Sequence, residues 1–149
     1  MQVREIMTEN PACATPSMGL GEVARLMKDC DCGAIPVTEG QDSAKCVGIV
    51  TDRDIVMRCL ADGKNPLECC VGDAMSSQVI TVFADDRLED AIRAMESNEI
   101  RRIVVVDENN QCIGMLSQAD IALNAPATQT AELVRDVSEP TPGASTLAA

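Results

Sequence analysis

The sequence has no histidine, tryptophan or tyrosine, and its single aromatic residue is Phe83. The absence of histidine removes the commonest general base and the commonest metal ligand. The lack of aromatic rings excludes the base stacking on which proteins that bind single-stranded nucleic acid depend. A purine ring bound by this chain would therefore have to lie between aliphatic side chains.

Basic residues are also scarce: 12 lysines and arginines stand against 24 acidic residues, for a net charge of −12. This balance disfavours nucleic acid and anionic membranes as partners, because both need a basic face. The chain has no apolar run near the ~18 residues that a membrane span requires. Residues 1–5 are charged and lack the apolar stretch of a signal peptide. We therefore expect a cytoplasmic location, with neither nucleic acid nor membrane as a partner.

The eight cysteines are numerous for 149 residues. In a chain without an export signal we expect them to be mostly reduced. Cys46, Cys59 and Cys112 fall in apolar segments and are expected to be buried, whereas Cys30-Asp31-Cys32 and Cys69-Cys70 are more exposed candidates for redox chemistry. Neither pair has C-x-x-C spacing and no histidine can complete a ligand set, so we predict no metal site. We also see no paired base and nucleophile, and predict that the protein is not an enzyme.

The most informative feature of the chain is an internal repeat. The segment 47–55 (VGIVTDRDI) recurs as 113–121 (IGMLSQADI). Residues 3–7 match residues 71–75, and the apolar positions of 20–27 match those of 88–95, both at an offset of 68. The offset becomes 66 between Gly48 and Gly114, so the first copy has the longer hairpin.

The repeat predicts an α+β fold made of two tandem β-α-β-β-α units with pseudo-two-fold symmetry. Apolar residues at i, i+3, i+4 and i+7 predict a helix over 20–27 and another through residue 97. The predicted strands are 12–15, 34–37 and 46–50 in the first copy and 79–83, 102–106 and 111–116 in the second. We expect the first repeat with its linker over 1–66, the second over 67–124, and a tail over 125–149 that forms a short helix and is then disordered.

The repeated motif places a hydroxyl and a carboxylate where a strand meets a helix. Thr51 and Asp54 form one such pair, and Ser117 and Asp120 the other. A helix start favours a phosphate, and a carboxylate can accept bonds from the two hydroxyls of a ribose. The alternative is that both aspartates are plain N-caps, each contributing ~1 kcal/mol to its helix. Residues 53, 101 and 102 are arginines near these sites, and they favour the interpretation as a ligand site.

With these motifs, the span from Val3 to about Leu123 resembles a CBS-domain pair, also called a Bateman module. The features that carry the resemblance are the element order, Met7 and Met75 in the lead-in segments, Pro36-Val37 at a strand entry, and the two G-h-h-[T/S]-x-x-D runs. The segment 51–56 with the connection 61–66 is most similar to small stand-alone bacterial CBS proteins, including the hypoxic-response type.

The resemblance implies two clefts between the repeats that bind adenosine-containing ligands. Residues implied for the first cleft are Thr51, Arg53, Asp54, Ile80, Ile100 and Arg102. Residues implied for the second are Ser117, Asp120, Thr15, Ala34 and Ile35, with Arg101 at its border. The second motif has Gln118-Ala119 where the first has Asp52-Arg53, so we expect the first cleft to favour a phosphorylated ligand.

These inferences predict a non-enzymatic regulatory module that senses an adenosyl ligand, with AMP or ATP favoured over NAD and S-adenosylmethionine, and with no required cofactor. We expect a homodimer, because the helices after Asp54 and Asp120 cannot bury their apolar faces within one repeat pair, and a protein target is a further expected partner. Two alternatives remain open: a thiol redox-responsive or metal-responsive protein on the same scaffold, and a structural oligomerisation module without a ligand.

Overall fold

The computed structural model describes residues 1–40 and 42–124. The predicted tail, 125–149, lies outside this part of the chain. The described residues form six strands and four α-helices: β1 (Thr8–Glu9), α1 (Leu20–Cys30), β2 (Ala34–Gly40), β3 (Ser43–Thr51), α2 (Asp52–Ile55), β4 (Thr81–Phe83), α3 (Leu88–Asn98), β5 (Arg102–Val106), β6 (Cys112–Ser117) and α4 (Gln118–Asn124). A π-helical turn, Val56–Leu60, continues α2. The predicted α+β fold of two repeats is confirmed.

The two long helices occupy equivalent places in the repeats. Each buries the apolar stripe that the sequence spacing predicts, with Leu20 and Val23 buried in α1 and Leu88 and Met95 in α3. Each ends at a non-glycine residue in the left-handed conformation, and these C-caps, residues 31 and 99, have φ of 51° and 53°. The turn that follows leads the chain directly into the next strand, β2 after α1 and β5 after α3.

The strands form a four-stranded sheet of order β1-β6-β5-β4 and a two-stranded sheet of β2 and β3. The predicted strand over residues 12–15 is wrong as a full strand, because only Ala14 forms a bridge, to Val37. Its counterpart in the second repeat does form a strand, although β4 begins at Thr81 rather than at Val79. The first repeat thus contributes two strands to its sheet, β2 and β3, and the second contributes three, β4, β5 and β6.

The segments that lead into the two repeats are exchanged between them. We call residues 1–9 the first lead-in and residues 69–77 the second lead-in. In the first, Thr8 and Glu9 pair with Met115 and Gly114 of β6, a strand of the second repeat. In the second, Ser76 bridges to Ile49 of β3, a strand of the first repeat. Each sheet therefore takes an edge from the other half of the chain.

The exchange extends into the hydrophobic cores. Val3 is fully buried among residues of the second repeat, including Leu88 and Ile103. Val71, its equivalent 68 positions later, is fully buried among residues of the first repeat, including Leu20 and Val50. A third cluster lies between the repeats and contains Val104, Cys46 and Cys112, among others. The two repeats are thus joined both by their lead-ins and by a shared apolar layer.

The exchanged lead-ins explain the glycine that begins each repeated motif. A Cβ on Gly114 would lie 2.6 Å from Met7 Sδ, and a Cβ on Gly48 would lie 2.8 Å from the Ser76 carbonyl oxygen and 3.0 Å from Met75 Sδ. Any larger residue would collide with the crossing lead-in. The methionine and the glycine that recur in the sequence therefore pack against each other, Met7 against Gly114 and Met75 against Gly48.

None of the helices in the described ranges is long and apolar enough to cross a membrane.

Candidate functional site

The first motif forms a capping box at the start of α2. The Asp54 backbone N–H donates to Thr51 Oγ1 at 3.0 Å, and the Thr51 backbone N–H donates to Asp54 Oδ2 at 2.9 Å. Two backbone donors at the helix start are satisfied reciprocally in this way. The second carboxylate oxygen, Asp54 Oδ1, lies 3.9 Å from Arg58 Nε. Asp54 therefore already has partners on both of its oxygens.

The second motif repeats this arrangement with one difference. The Ser117 backbone N–H and the Ser117 hydroxyl each donate to Asp120 Oδ2 at 2.8 Å, and the Asp120 N–H donates to Ser117 Oγ at 3.1 Å. All of these bonds to the carboxylate fall on the same oxygen, Oδ2. The other carboxylate oxygen, Asp120 Oδ1, takes no part in these bonds.

These bonds revise the alternative interpretation of the aspartates as N-caps. In each motif the hydroxyl residue caps the helix, and the aspartate, three residues later, returns a bond to the backbone of the cap. The helices begin at Asp52 and Gln118, two residues before the aspartates. The structural role of Asp54 and Asp120 is therefore real, and it uses only one carboxylate oxygen.

A cavity of about 760 Å³ opens beside Ser117 and Asp120. Its walls come from both repeats and from the first lead-in. The residues lining it are Thr8, Asn10, Pro11, Ala12, Cys30, Asp31, Cys32, Ala34, Ile35, Arg101, Arg102, Met115, Ser117, Gln118, Ala119, Asp120 and Ala122. The volume lies within the range of about 300–1,000 Å³ that is usual for small-molecule sites.

Both adjacent arginines line this cavity, although Arg102 was expected in the first cleft. The reason is strand pairing: β5 lies next to β6, and Arg102 is the register partner of Ser117. Arg101 adjoins the same helix start, because the Gln118 N–H donates to the Arg101 carbonyl at 2.8 Å. Two guanidinium groups therefore lie on the same cavity as Asp120.

The equivalent region of the first repeat carries different charged residues. Gly33 and Ala34 occupy the places of Arg101 and Arg102, and Asp52 occupies that of Gln118. The Asp52 carboxylate lies against Gly33, where a Cβ would be 2.9 Å from Oδ2. Asp52 thus places a negative charge where the second repeat has a neutral residue, while Arg53 places a positive charge where the second repeat has Ala119. The expectation that the first cleft favours a phosphorylated ligand stays a prediction.

The remaining predicted residues divide into two groups. Ala34 and Ile35 line the Asp120 cavity as predicted, whereas Thr15 does not, and its hydroxyl lies 3.4 Å from Ser17 Oγ. The other group is not brought to this cavity and consists of Thr51, Arg53, Asp54, Ile80 and Ile100. Arg53 and Ile80 are exposed, and Ile100 packs against the core of the second repeat.

Several cavity residues were not predicted from the sequence. Thr8 lies in the exchanged first lead-in and Asn10 directly follows it, and no local pattern indicates that this segment reaches the cavity. Asp31 reaches it through the left-handed turn that ends α1. Cys32 also lines the cavity, and its pKa is raised mainly by burial and then by Cys30, while Arg102 acts in the opposite direction.

Within residues 1–40 and 42–124, no group of three or more His, Cys, Asp or Glu side chains could hold a metal ion.

Comparison with known proteins places these features in a family. The CBS domain model matches residues 3–61 and 71–126. Among curated proteins, the chain is 36% identical to the CBS domain-containing protein YhcV of Bacillus subtilis, over 87% of this chain and 89% of that protein. It is 30% identical to Hypoxic response protein 1 of Mycobacterium tuberculosis, over 92% of this chain and 94% of that protein.

Solved structures agree with the fold. The structure of Hypoxic Response Protein I with two coordinated zinc ions matches with a TM-score of 0.75 and 29% identity, over 85% of this chain and all of that one. The CBS domain pair of MJ0100, solved with 5-methylthioadenosine and S-adenosyl-L-methionine, matches with a TM-score of 0.74 and 24% identity, over 83% and 98% of the two chains. CBSX2, solved with AMP, matches with a TM-score of 0.72 and 24% identity, over 83% and 95%.

The resemblance proposed from the sequence is thereby confirmed, including its likeness to the hypoxic-response type. The model match covers both halves of the internal repeat and leaves only the connection between them and the tail. Two copies of one domain, with exchanged lead-ins and a shared apolar layer, account for the fold described above. The chain belongs to the CBS domain family as a tandem pair.

Proposed function

We propose that the protein is a non-enzymatic regulatory module whose Asp120 cavity binds a phosphorylated adenosyl ligand, with AMP or ATP favoured. The observation that carries this proposal is the meeting of the Asp120 carboxylate with Arg101 and Arg102 on one cavity of about 760 Å³, whose wall also includes Asp31. These groups complement the two polar parts of a nucleotide. The proposal covers the Asp120 cavity, while ligand binding near Thr51 and Asp54 stays a prediction from the sequence.

Asp120 is assigned to the ribose. Its Oδ2 is occupied by Ser117, which fixes the orientation of the carboxylate. Its Oδ1 is left to accept bonds from the two adjacent hydroxyls of the sugar, and a carboxylate is an acceptor only. A bond to a charged partner contributes about 1.5–3 kcal/mol, so this contact alone affects affinity measurably.

Arg101 and Arg102 are assigned to the phosphate. A guanidinium presents a planar fork of donors that matches phosphate oxygens in two bonds at once. Arg102 is half-buried and held opposite Ser117 by the sheet register, while Arg101 is exposed at the rim. We therefore expect Arg102 to contribute more to affinity than Arg101.

The apolar wall is assigned to the adenine ring. It includes Pro11, Ala12, Ala34, Ile35 and Met115. With no aromatic residue on the cavity, the ring would be held by aliphatic contact. A methionine suits this role because its thioether is flexible and polarizable.

Regulation would follow from the origin of the walls. Residues 30–35 come from the first repeat and residues 115–122 from the second, so a bound ligand contacts both. A ligand that binds one arrangement of the repeats more tightly shifts the population toward it. The adenosyl ligands in the structures of MJ0100 and CBSX2 support this ligand class. A protein target would respond to this change in population by binding one arrangement of the repeats.

A homodimer is part of the proposal. Val56, Met57 and Leu60 on the turn that follows α2 are each at least 50% exposed, and Leu123 on α4 is 83% exposed. Met57 and Leu123 are equivalent positions of the two repeats, so each repeat has an exposed apolar residue at the same place. A second copy of the chain can cover both segments at once, which makes a closed two-fold pair the expected assembly.

The test is thermal denaturation with AMP, ATP, adenosine and S-adenosylmethionine. It compares the wild type with Asp120→Ala and Arg102→Ala. At a hundredfold excess over its Kd, a ligand stabilises the folded protein by about 2.7 kcal/mol. We expect Asp120→Ala to lose this gain for every ligand. We expect Arg102→Ala to lose the preference for AMP over adenosine.

Asp54→Ala is the matched control, because it removes the same capping-box carboxylate from the other repeat. Both alanine variants lose the bond that the carboxylate accepts from the backbone N–H of the cap residue, so a lower melting temperature without ligand is expected of each. Only Asp120→Ala should lose the gain on adding AMP. An unchanged gain in Asp120→Ala would overturn the assignment of the ribose.

A further inference from the structure

Two thiols from separate segments of the chain lie next to each other. Cys59 is in the π-helical turn after α2, and Cys69 begins the second lead-in. The Cys59 thiol donates to Cys69 Sγ at a distance of 3.4 Å. The ten-residue separation in the sequence is closed by the bend at Gly63, which has a φ of 77°.

The two thiols differ in their exposure to solvent. Cys59 is fully buried in the core of the first repeat, whereas Cys69 is half-buried and packs against that core. The Cys69 backbone is held on both sides, because its carbonyl accepts from Leu20 N at 3.0 Å and its N–H donates to the Pro66 carbonyl at 3.3 Å. A small reagent can therefore reach the pair through Cys69. The backbone hydrogen bonds keep Cys69 next to Cys59 during the reaction.

Neighbouring cysteines are directed elsewhere. The Cys70 thiol donates to Asp73 Oδ2 at 3.4 Å, although Cys70 is adjacent to Cys69 in the chain. The thiols of Cys46 and Cys112 donate to the carbonyls of Gly48 and Gly114. Cys69 is therefore matched to Cys59 rather than to its neighbour in the sequence.

We propose that Cys59 and Cys69 form a reversible disulfide when the protein meets a hydroperoxide. The Cys69 thiolate attacks the peroxide O–O bond, which breaks and releases an alcohol, or water from hydrogen peroxide, leaving a sulfenic acid on Cys69. Cys59 then attacks this sulfur, the S–S bond forms and water leaves. The two thiols lose two electrons and two protons, and the peroxide is reduced.

The bond would tie the turn after α2 to the second lead-in. That turn follows Asp54 and carries the exposed Met57 and Leu60, while the lead-in supplies Val71 to the core. Oxidation would thus stiffen the apolar surface proposed for the dimer. The interaction with the neighbouring Cys59 thiol, followed by burial, raises the pKa of Cys69, so the reaction should be slow near neutral pH and faster as the pH rises.

The experiment uses the full chain, reduced and then treated with hydrogen peroxide. Remaining thiols are alkylated under denaturing conditions before digestion with trypsin. Cleavage after Arg58, Lys64 and Arg87 places Cys59 in the peptide 59–64 and Cys69 with Cys70 in the peptide 65–87. We expect these two peptides to be linked within one chain, with a mass lower by two hydrogen atoms, and dithiothreitol to separate them.

Two variants assign the sulfur atoms within the second peptide. Cys70→Ser should keep the link, and Cys69→Ser should abolish it. Cys69 is half-buried, so its serine variant avoids the fully buried site at Cys59, and circular dichroism checks that it is folded. A link that survives in Cys69→Ser, alkylation of Cys59 after peroxide treatment, or a bond that joins Cys13 to Cys112 instead would each overturn the proposal.

Discussion

Asp120 and Asp54 each serve the start of a helix and are also the residues that a ribose site would use. The sequence alone could not separate these roles, because an aspartate three residues after a hydroxyl suits both. The bonds to Ser117 show how one side chain can do both, since they occupy only Oδ2. Arg102 was predicted from the sequence to lie in the first cleft, but the cavity that it lines depends on the β5–β6 register, which no local pattern specifies.

Asp73 provides a pH-dependent test at the same scale. The Cys70 backbone N–H donates to its carboxylate at 2.9 Å, and this bond, with the Cys70 thiol, holds the pKa of Asp73 below 3.8. Because the folded pKa is below the unfolded one, Asp73 adds stability above about pH 4, and this is lost as the pH falls through the folded pKa. We expect Asp73→Asn to lower the melting temperature near neutral pH, and the difference from wild type to vanish in strong acid.

Thermal denaturation across this pH range measures the effect. Asp62→Asn, at an exposed position in the connection between the repeats, is the control for a general change in net charge. If the difference between wild type and Asp73→Asn were the same at every pH, the charge of Asp73 would not be the cause.

At the scale of elements, the sequence predicted the helices and central strands well, and their partners poorly. Periodicity indicates which face of α1 or α3 is buried, but not which strand an edge joins. The first lead-in resembles the second in sequence, and this similarity gives no sign that each crosses to the other repeat. The predicted strand over residues 12–15 was wrong because the local sequence does not specify its pairing, which in the structure is a single bridge at Ala14.

The crossing of the lead-ins predicts an order of stability among glycine variants. We expect Gly48→Ala to lower the free energy of unfolding by about 1–3 kcal/mol, as overpacking does. A Cβ there would lie 2.8 Å from a backbone carbonyl, which cannot move without the lead-in. Gly114→Ala should cost less, because its nearest contact is the thioether of Met7, which can rotate away.

Denaturant-induced unfolding of the variants measures these differences. Gly40→Ala is the control, because no atom lies within 4 Å of its added Cβ, and it should be close to neutral. If Gly114→Ala were more destabilising than Gly48→Ala, side-chain flexibility would not be what sets the cost.

At the scale of the whole molecule, two similar repeats carry different charges at equivalent places. The second presents Arg101 and Arg102 to its cavity, while the first presents Gly33 beside Asp52. The symmetry of the backbone was predictable from the repeated sequence. The asymmetry of the sites depends on a few side chains whose neighbours come from distant segments, and so it required the structure.

The proposed dimer gives the prediction at this scale. We expect Leu60→Asp, which puts a charge on a residue that is 58% exposed in the single chain, to weaken association at least tenfold, or by about 1.4 kcal/mol. Sedimentation velocity over a range of concentrations measures the change. Phe83→Asp is the control, because Phe83 is 51% exposed but lies on β4, outside the helical surface. Equal association of both variants would remove Leu60 from the interface.

The crossing of the lead-ins also decides how this chain could be divided. A cut between residues 61 and 68 yields two fragments that each hold the missing sheet edge and core valine of the other. Such fragments are complementary, so the two halves should reassemble when they are co-expressed. Either half alone would expose its own lead-in and would lack the lead-in that packs against its sheet. Because each repeat needs the lead-in of the other, the smallest unit that we expect to fold is the pair rather than the single repeat.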